Sequence, residues 1–123
     1  MEVKKRATSL RHQRSNCAVA CTLDLIGDKW TLLIIRDMFF GKNRYKDFQD
    51  SAEQIPTNIL TNRLRKLEKA RLVSREPYQE NPVRYAYKLT AAGKTLGPVL
   101  HAMVNWAGDN LPGVRRPKPT GVL

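Results

Sequence analysis

Apolar positions recur at helical spacing over most of the chain and change to alternation once. Val19, Leu23 and Ile26 stand at i, i+4 and i+7, which predicts a short helix over 17–26 that stops at Gly27. Trp30 to Phe40 is apolar on nearly every side and predicts a buried central helix. Gly41 lies just past its end, where a left-handed residue is wanted. Tyr45, Phe48 and Ala52 suggest a third, short helix. A fourth runs from Ile55 to Ala70, with Pro56 at its start and Leu60, Leu64 and Leu67 as its buried stripe. The period then becomes two: Leu72 to Tyr78 and Val83 to Leu89 read as strands. In the second, Tyr85, Tyr87 and Leu89 share one face, and Arg84, Ala86 and Lys88 the other. Their link, Tyr78-Gln79-Glu80-Asn81-Pro82, carries a turn signal, so the pair forms a hairpin with a projecting tip. Thr90 caps a last helix with Leu96, Val99, Leu100, Met103 and Leu111 along it, which Pro98 should kink near Lys94.

This order predicts a mainly α fold with a small β-hairpin. A short helix, a tight link and a longer basic helix describe a helix-turn-helix, and a hairpin directly after it is a wing. The fourth helix, with its reading portion at about 57–69, can be projected at 100° per residue. With Leu60 at zero, Leu64 and Leu67 lie within about 40° of it, whereas Asn58, Asn62, Arg65 and Lys69 lie about 140–200° away. Thr57 and Thr61 sit near the N-terminal edge of that polar face. The first turns of such a helix lie deepest in the major groove, so base reading is expected of Thr57, Asn58, Thr61 and Asn62. Phosphate contacts are expected of Arg65 and Lys69, of Asn81 and Arg84 on the wing (about 77–84), and of Arg44 and Lys46.

Charge supports this reading. The chain has 123 residues, with 22 Lys and Arg against 11 Asp and Glu, a net charge of +11. Its pI near 10.1 on 14.1 kDa points to a polyanion partner, nucleic acid above all, and the helix-turn-helix order makes the expected partner double-stranded DNA. Residues 1–16 hold Lys4, Lys5, Arg6, Arg11 and Arg14 against Glu2, and read as a flexible basic arm. Residues 112–123, rich in Pro and Gly, read as a loose tail, which leaves 17–111 as one domain. The most apolar stretch, Trp30 to Ile35, stops at Arg36 and Asp37, far short of the ~20 residues of a membrane span. With no secretory signal pattern either, a cytoplasmic protein without a membrane partner is expected. His12 and His101, with two cysteines, give no zinc spacing. No phosphate-binding glycine loop, Ser/His/Asp set or close acidic pair occurs, so neither metal, cofactor nor enzymatic activity is expected.

The residues also resemble a known family. Cys17-Ala18-Val19 with Leu23-Asp24-Leu25-Ile26-Gly27-Asp28-Lys29-Trp30 is similar to the opening of the HxlR-type regulators, small bacterial winged helix-turn-helix transcription factors. The likeness continues through Leu32 to Asp37 and Gly41, resumes over Ile55 to Glu68, and ends with Tyr87-Lys88-Leu89-Thr90-Ala91-Ala92-Gly93 and Val104-Asn105-Trp106. The resemblance implies a homodimer built from the terminal helices, operator binding and, in several members, thiol control at a cysteine ahead of the first helix. Two positions depart from it: Ala18 stands where the family has Pro, and Arg71 where it has Gly after the recognition helix. A left-handed Arg71 would cost ~1 kcal/mol.

The expected function is therefore a sequence-specific transcriptional regulator, a homodimer on an inverted-repeat operator. The alternative is a non-specific nucleoid protein using the same basic patch; a winged domain kept for protein interaction is disfavoured by the charge. Val19, Leu23, Val99, Leu100, Met103 and Trp106 are the expected dimer contacts, because the last helix carries more apolar positions than one such domain can cover. Cys17, at a helix start in basic surroundings, is a candidate thiol sensor of an oxidant or other small effector, with an inert buried cysteine as the competing reading. Cys21 belongs to the packed face. Cβ atoms at i and i+4 are ~5–6 Å apart, too far for a disulfide within the helix. Trp30 reads as a core or dimer residue and His101 as structural.

Overall fold

The computed structural model describes residues 14–116. Residues 1–13 of the expected arm and 117–123 of the expected tail lie outside the described residues. The elements are α1 (Ala18–Ile26), α2 (Thr31–Phe39), α3 (Tyr45–Gln49), α4 (Thr57–Lys69), β1 (Val73–Gln79), β2 (Arg84–Leu89), α5 (Ala91–Lys94) and α6 (Gly97–Asn110). This is a winged helix-turn-helix, with most element ends within two residues of those predicted from periodicity.

Local chemistry sets the boundaries. Asp28 starts α2: its Oδ2 accepts hydrogen bonds from the N–H groups of Trp30 (3.0 Å) and Thr31 (3.1 Å), donors the helix leaves unpaired. Gly41 ends it at φ +97°, the left-handed conformation expected there. Arg71 also takes φ +64° after α4, so the strain foreseen at that position is present. At Gly93 the reason is space. A Cβ there would lie 2.0 Å from the carbonyl oxygen of Leu72, so only glycine lets α5 close against the start of the hairpin.

The end of the chain differs from the expectation of one kinked helix. Thr90 caps α5 through its hydroxyl, which accepts from Gly93 N–H at 3.1 Å, but α5 ends at Lys94. A new helix begins at Gly97, with Pro98 in its first turn, where no N–H is required. Proline thus separates two helices. Leu111 follows α6 in extended backbone rather than lying on the helix.

One core unites the elements. Ile34 and Ile35 of α2, Phe48 of α3, Leu60, Leu64 and Leu67 of α4, and Leu72 and Val73 are buried together. Tyr87 meets Phe48 edge-on at 6.2 Å between ring centres, which seats the hairpin on the core. The hairpin is antiparallel, pairing Val73 with Leu89 and Pro77 with Tyr85; Gln79 then faces Arg84, so Tyr78 forms a bulge. Arg44 forms a further bridge to Ala86, and Tyr87 N–H donates to the carbonyl of Asn43 (2.7 Å), tying the segment before α3 to the wing.

Leu100 requires a correction. It is only 7% exposed and belongs to this chain's own core, so it is not a surface contact. Val19 (67% exposed), Leu23, Val99, Met103 and Trp106 (61%) do lie open on α1 and α6. His101, expected to be structural, is exposed on α6, while Trp30 packs against the core.

Candidate nucleic-acid interface

The outward face of α4 is polar over its whole length. Thr57, Asn58, Asn62, Arg65 and Lys69 are exposed, opposite the buried Leu60, Leu64 and Leu67. Among the described residues, neither Arg65 nor Lys69 has a carboxylate partner, so both remain available to phosphate. Thr61 is different. It is half-buried, and its hydroxyl lies 2.7 Å from the Tyr45 hydroxyl, which also donates to the carbonyl of Thr57 at 3.1 Å. Thr61 therefore has its methyl to offer a base, rather than an unengaged hydroxyl.

Three sets of contacts fix this helix, none of them foreseen from the sequence. Tyr45 joins α3 to the first turn of α4, as just described. Arg36 of α2 clamps the turn between them. It gives two hydrogen bonds to Glu53 (3.0 and 2.8 Å) and one to Ser51 (3.2 Å), and its Nε and Nη2 also reach Asp37 Oδ1. The Arg36 hydrogen bond holds the Glu53 carboxyl at about 2, against the opposing effect of partial burial. Its own guanidinium is driven further towards the charged form, chiefly by Glu53.

The third set joins α4 to α1 and to the α1–α2 junction. Arg63 Nε donates to Asp28 Oδ2 at 2.9 Å, and Lys66 Nζ donates to the carbonyl of Asp24 at 3.3 Å. Burial opposes the charge on Asp28, but hydrogen bonds from Thr31, Arg63 and Trp30 outweigh it and hold the carboxyl at about 2. Two of the cations of α4 thus face inward. In the sequence, Arg63 and Lys66 are only flanking positions of an amphipathic helix; their partners lie 35 and 42 residues away.

On the wing side, Arg44, Lys46 and Arg84 line one groove with Tyr45, Tyr78 and Tyr85. Because Tyr45 also touches Thr57 and Thr61, this groove adjoins the N-terminal end of α4. Arg44 lies over the Tyr78 ring at 3.9 Å, which orders its guanidinium without neutralising it. Among the described residues, Lys46 has only a distant ion pair, 3.9 Å to Asp50, with both groups largely in solvent. Asp47 also lines the groove; its carboxylate accepts from the N–H groups of Arg44 and Asn43, which lower its pKa. Asn81, at φ +52° on the hairpin tip, does not line this groove.

Cys17 is the N-cap of α1 and is exposed, which disposes of the buried alternative. The backbone N–H groups of Ala20, then Val19, favour its thiolate and lower its pKa. Cys21 is half-buried, and its thiol donates to the carbonyl of Ser15 at 3.3 Å. Among the described residues, no cluster of His, Cys, Asp and Glu could hold a metal, and no helix is long and apolar enough to cross a membrane.

Residues 25–114 match the HxlR-like helix-turn-helix family. An HTH-type transcriptional regulator of Mycobacterium tuberculosis is 36% identical over 105 residues; the match covers 85% of this chain and 66% of that longer relative. The HTH-type transcriptional regulator YybR of Bacillus subtilis is 37% identical over 97 residues, 79% of this chain and 78% of its own length. Among solved structures, the redox regulator HypR in its reduced form superposes with a TM-score of 0.71 at 36% identity, covering 78% of this chain and 95% of that one.

Proposed function

Because the chain belongs to the HxlR-like helix-turn-helix family of DNA-binding transcriptional regulators, we propose that it acts as a homodimer on an inverted-repeat operator. The observation that carries this reading is the composition of the outward face of α4. Thr57, Asn58 and Asn62 occupy its first turns and offer hydrogen-bonding groups to base edges; Arg65 and Lys69 occupy its later ones and offer charge to phosphates. A non-specific nucleoid protein needs the cations and has no use for the asparagines. Arg44, Lys46 and Arg84 would hold the flanking backbone beside the wing.

The open apolar residues of α1 and α6 support a two-fold contact through these helices, which would set two copies of α4 about one DNA turn (~34 Å) apart. Cys17 then stands at the end of a dimer helix, exposed and with its thiolate favoured. The likeness to a protein described as a redox regulator makes thiol modification the effector chemistry we assign to it.

The test is operator selection from a randomised duplex pool, followed by competition with scrambled duplex. A two-fold symmetric site bound at least ~10³-fold better than scrambled DNA is expected. Equal competition by scrambled duplex would establish the nucleoid reading instead.

A further inference from the structure

An asparagine with both ends of its amide unengaged offers one acceptor and donors, the pattern that matches N6 and N7 of adenine in the major groove. Asn62 is not in that state. Its Oδ1 accepts a hydrogen bond of 2.6 Å from Nη1 of Arg63. The choice of oxygen is forced by chemistry, because a guanidinium has only donors and an amide nitrogen facing it would set donor against donor. Arg63 is itself held by Asp28 at 2.9 Å, in a half-buried ion pair. Asp28 is fixed in turn by the N–H groups of Trp30 and Thr31 and the hydroxyl of Thr31. The start of α2 thus orients Asp28, Asp28 orients Arg63, and Arg63 fills one of the two lone pairs of Asn62 Oδ1 and sets a positive charge beside the other, which disfavours the approach of a further amino donor. The rest of the Asn62 side chain is exposed on the outward face of α4.

We propose that Arg63 is a positioning residue that biases Asn62 towards donating, so that Asn62 selects guanine, whose major-groove edge presents acceptors alone, over adenine, whose N6 amino group would meet Oδ1 beside the Arg63 guanidinium. The inference rests on the base reading assigned to α4 above and adds the identity of the base. Adenine sets its N6 amino group beside N7, against the Asn62 amide nitrogen, whereas guanine presents N7 and O6.

The experiment compares operators selected by the wild type, Asn62→Ala and Arg63→Met. One half-site position should lose its preference in Asn62→Ala. At that position the wild type should favour guanine over adenine by about tenfold. Replacing this guanine with 7-deazaguanine should weaken binding by the wild type and leave Asn62→Ala unaffected. Arg63→Met, which releases Oδ1, should move the preference at that position towards adenine. A general loss of folding would weaken all positions alike, and the 7-deazaguanine measurement on the wild type needs no variant. If Asn62→Ala relaxes a position where the wild type takes adenine, or if 7-deazaguanine is tolerated, the inference is overturned and base reading by α4 stands. If Asn62→Ala relaxes no position, Asn62 is not a base reader and the inference falls with that assignment.

Discussion

Replacing Arg36 by Met keeps most of the length and apolar stem of the side chain and removes its guanidinium. The consequence depends on what stays behind. Asp37 is 3% exposed, and both close hydrogen bonds to its Oδ1 come from Arg36, at 3.1 and 2.9 Å. Among the described residues, its Oδ2 has no hydrogen-bond partner, and the nearest other cation is Lys42 at 3.9 Å. Removing one member of a buried pair typically costs ~3–5 kcal/mol, because the other charge is left in a poor environment. The Arg36–Glu53 side of the network faces water and adds at most ~1 kcal/mol. Arg36→Met should therefore lose about 3–5 kcal/mol, a large share of the ~5–15 kcal/mol of a typical domain. Most of that loss should trace to Asp37. Adding Asp37→Asn in the Arg36→Met background should restore ~2 kcal/mol, giving a strong coupling in the double-mutant cycle. Urea unfolding followed by circular dichroism reads both numbers, with the midpoint moving and the slope constant. A loss below ~1 kcal/mol, or no recovery on adding Asp37→Asn, would refute the burial argument.

Four further outcomes are expected. Asp28 and Glu53, both held at about 2, are charged and paired in the native state, so their contribution is fully present above about pH 4.5 and is lost as pH falls towards 2; urea midpoints across that range should drop, and less steeply in Glu53→Gln. Arg84→Ala should weaken binding to operator and random duplex alike and lower the salt slope by ~1, whereas an unchanged slope would remove Arg84 from the interface. Sedimentation at micromolar concentration should give a dimer for the wild type and a monomer for Trp106→Asp; a monomeric wild type would end the two-fold operator argument. Diamide should change wild-type operator affinity at least ~10-fold (~1.4 kcal/mol) and leave Cys17→Ser unmoved; like responses from both proteins would make Cys17 irrelevant to signalling.

Much of this architecture can be read from spacing alone, because helix and strand periods are local properties. The stripe of Leu60, Leu64 and Leu67 locates the opposite face of α4 by simple projection, and all of Asn58, Asn62, Arg65 and Lys69 do lie outward. Most of the misreadings come from tertiary partners, and one from a local turn. Leu100 sits on the same helix as Val99 and Met103, and periodicity cannot say which apolar residue meets this chain's own core. Pro98 breaks what was expected to be a bent helix, because the turn at Thr95 and Leu96 places it where a missing N–H is harmless. Arg36 and Asp37 read only as the end of an apolar run, and Arg63 as a flanking cation. Their partners are brought close by the fold, and no local pattern announces a pair 17 or 35 residues apart.

The break before α6 has a thermodynamic consequence. α6 spans 14 residues but fully buries only Gly97 and Leu100, and no backbone ladder carries on into it from α5. Its fraying is therefore a smaller event than unfolding the domain, and its amides should exchange with solvent through local opening while those of α2 and α4 await global opening. Any molecule that covers Val99, Met103 and Trp106 binds the closed helix alone and adds RT ln(1 + [L]/Kd) to that local stability. With a second copy of this chain as that molecule, as proposed above, order in the last helix would become a function of protein concentration.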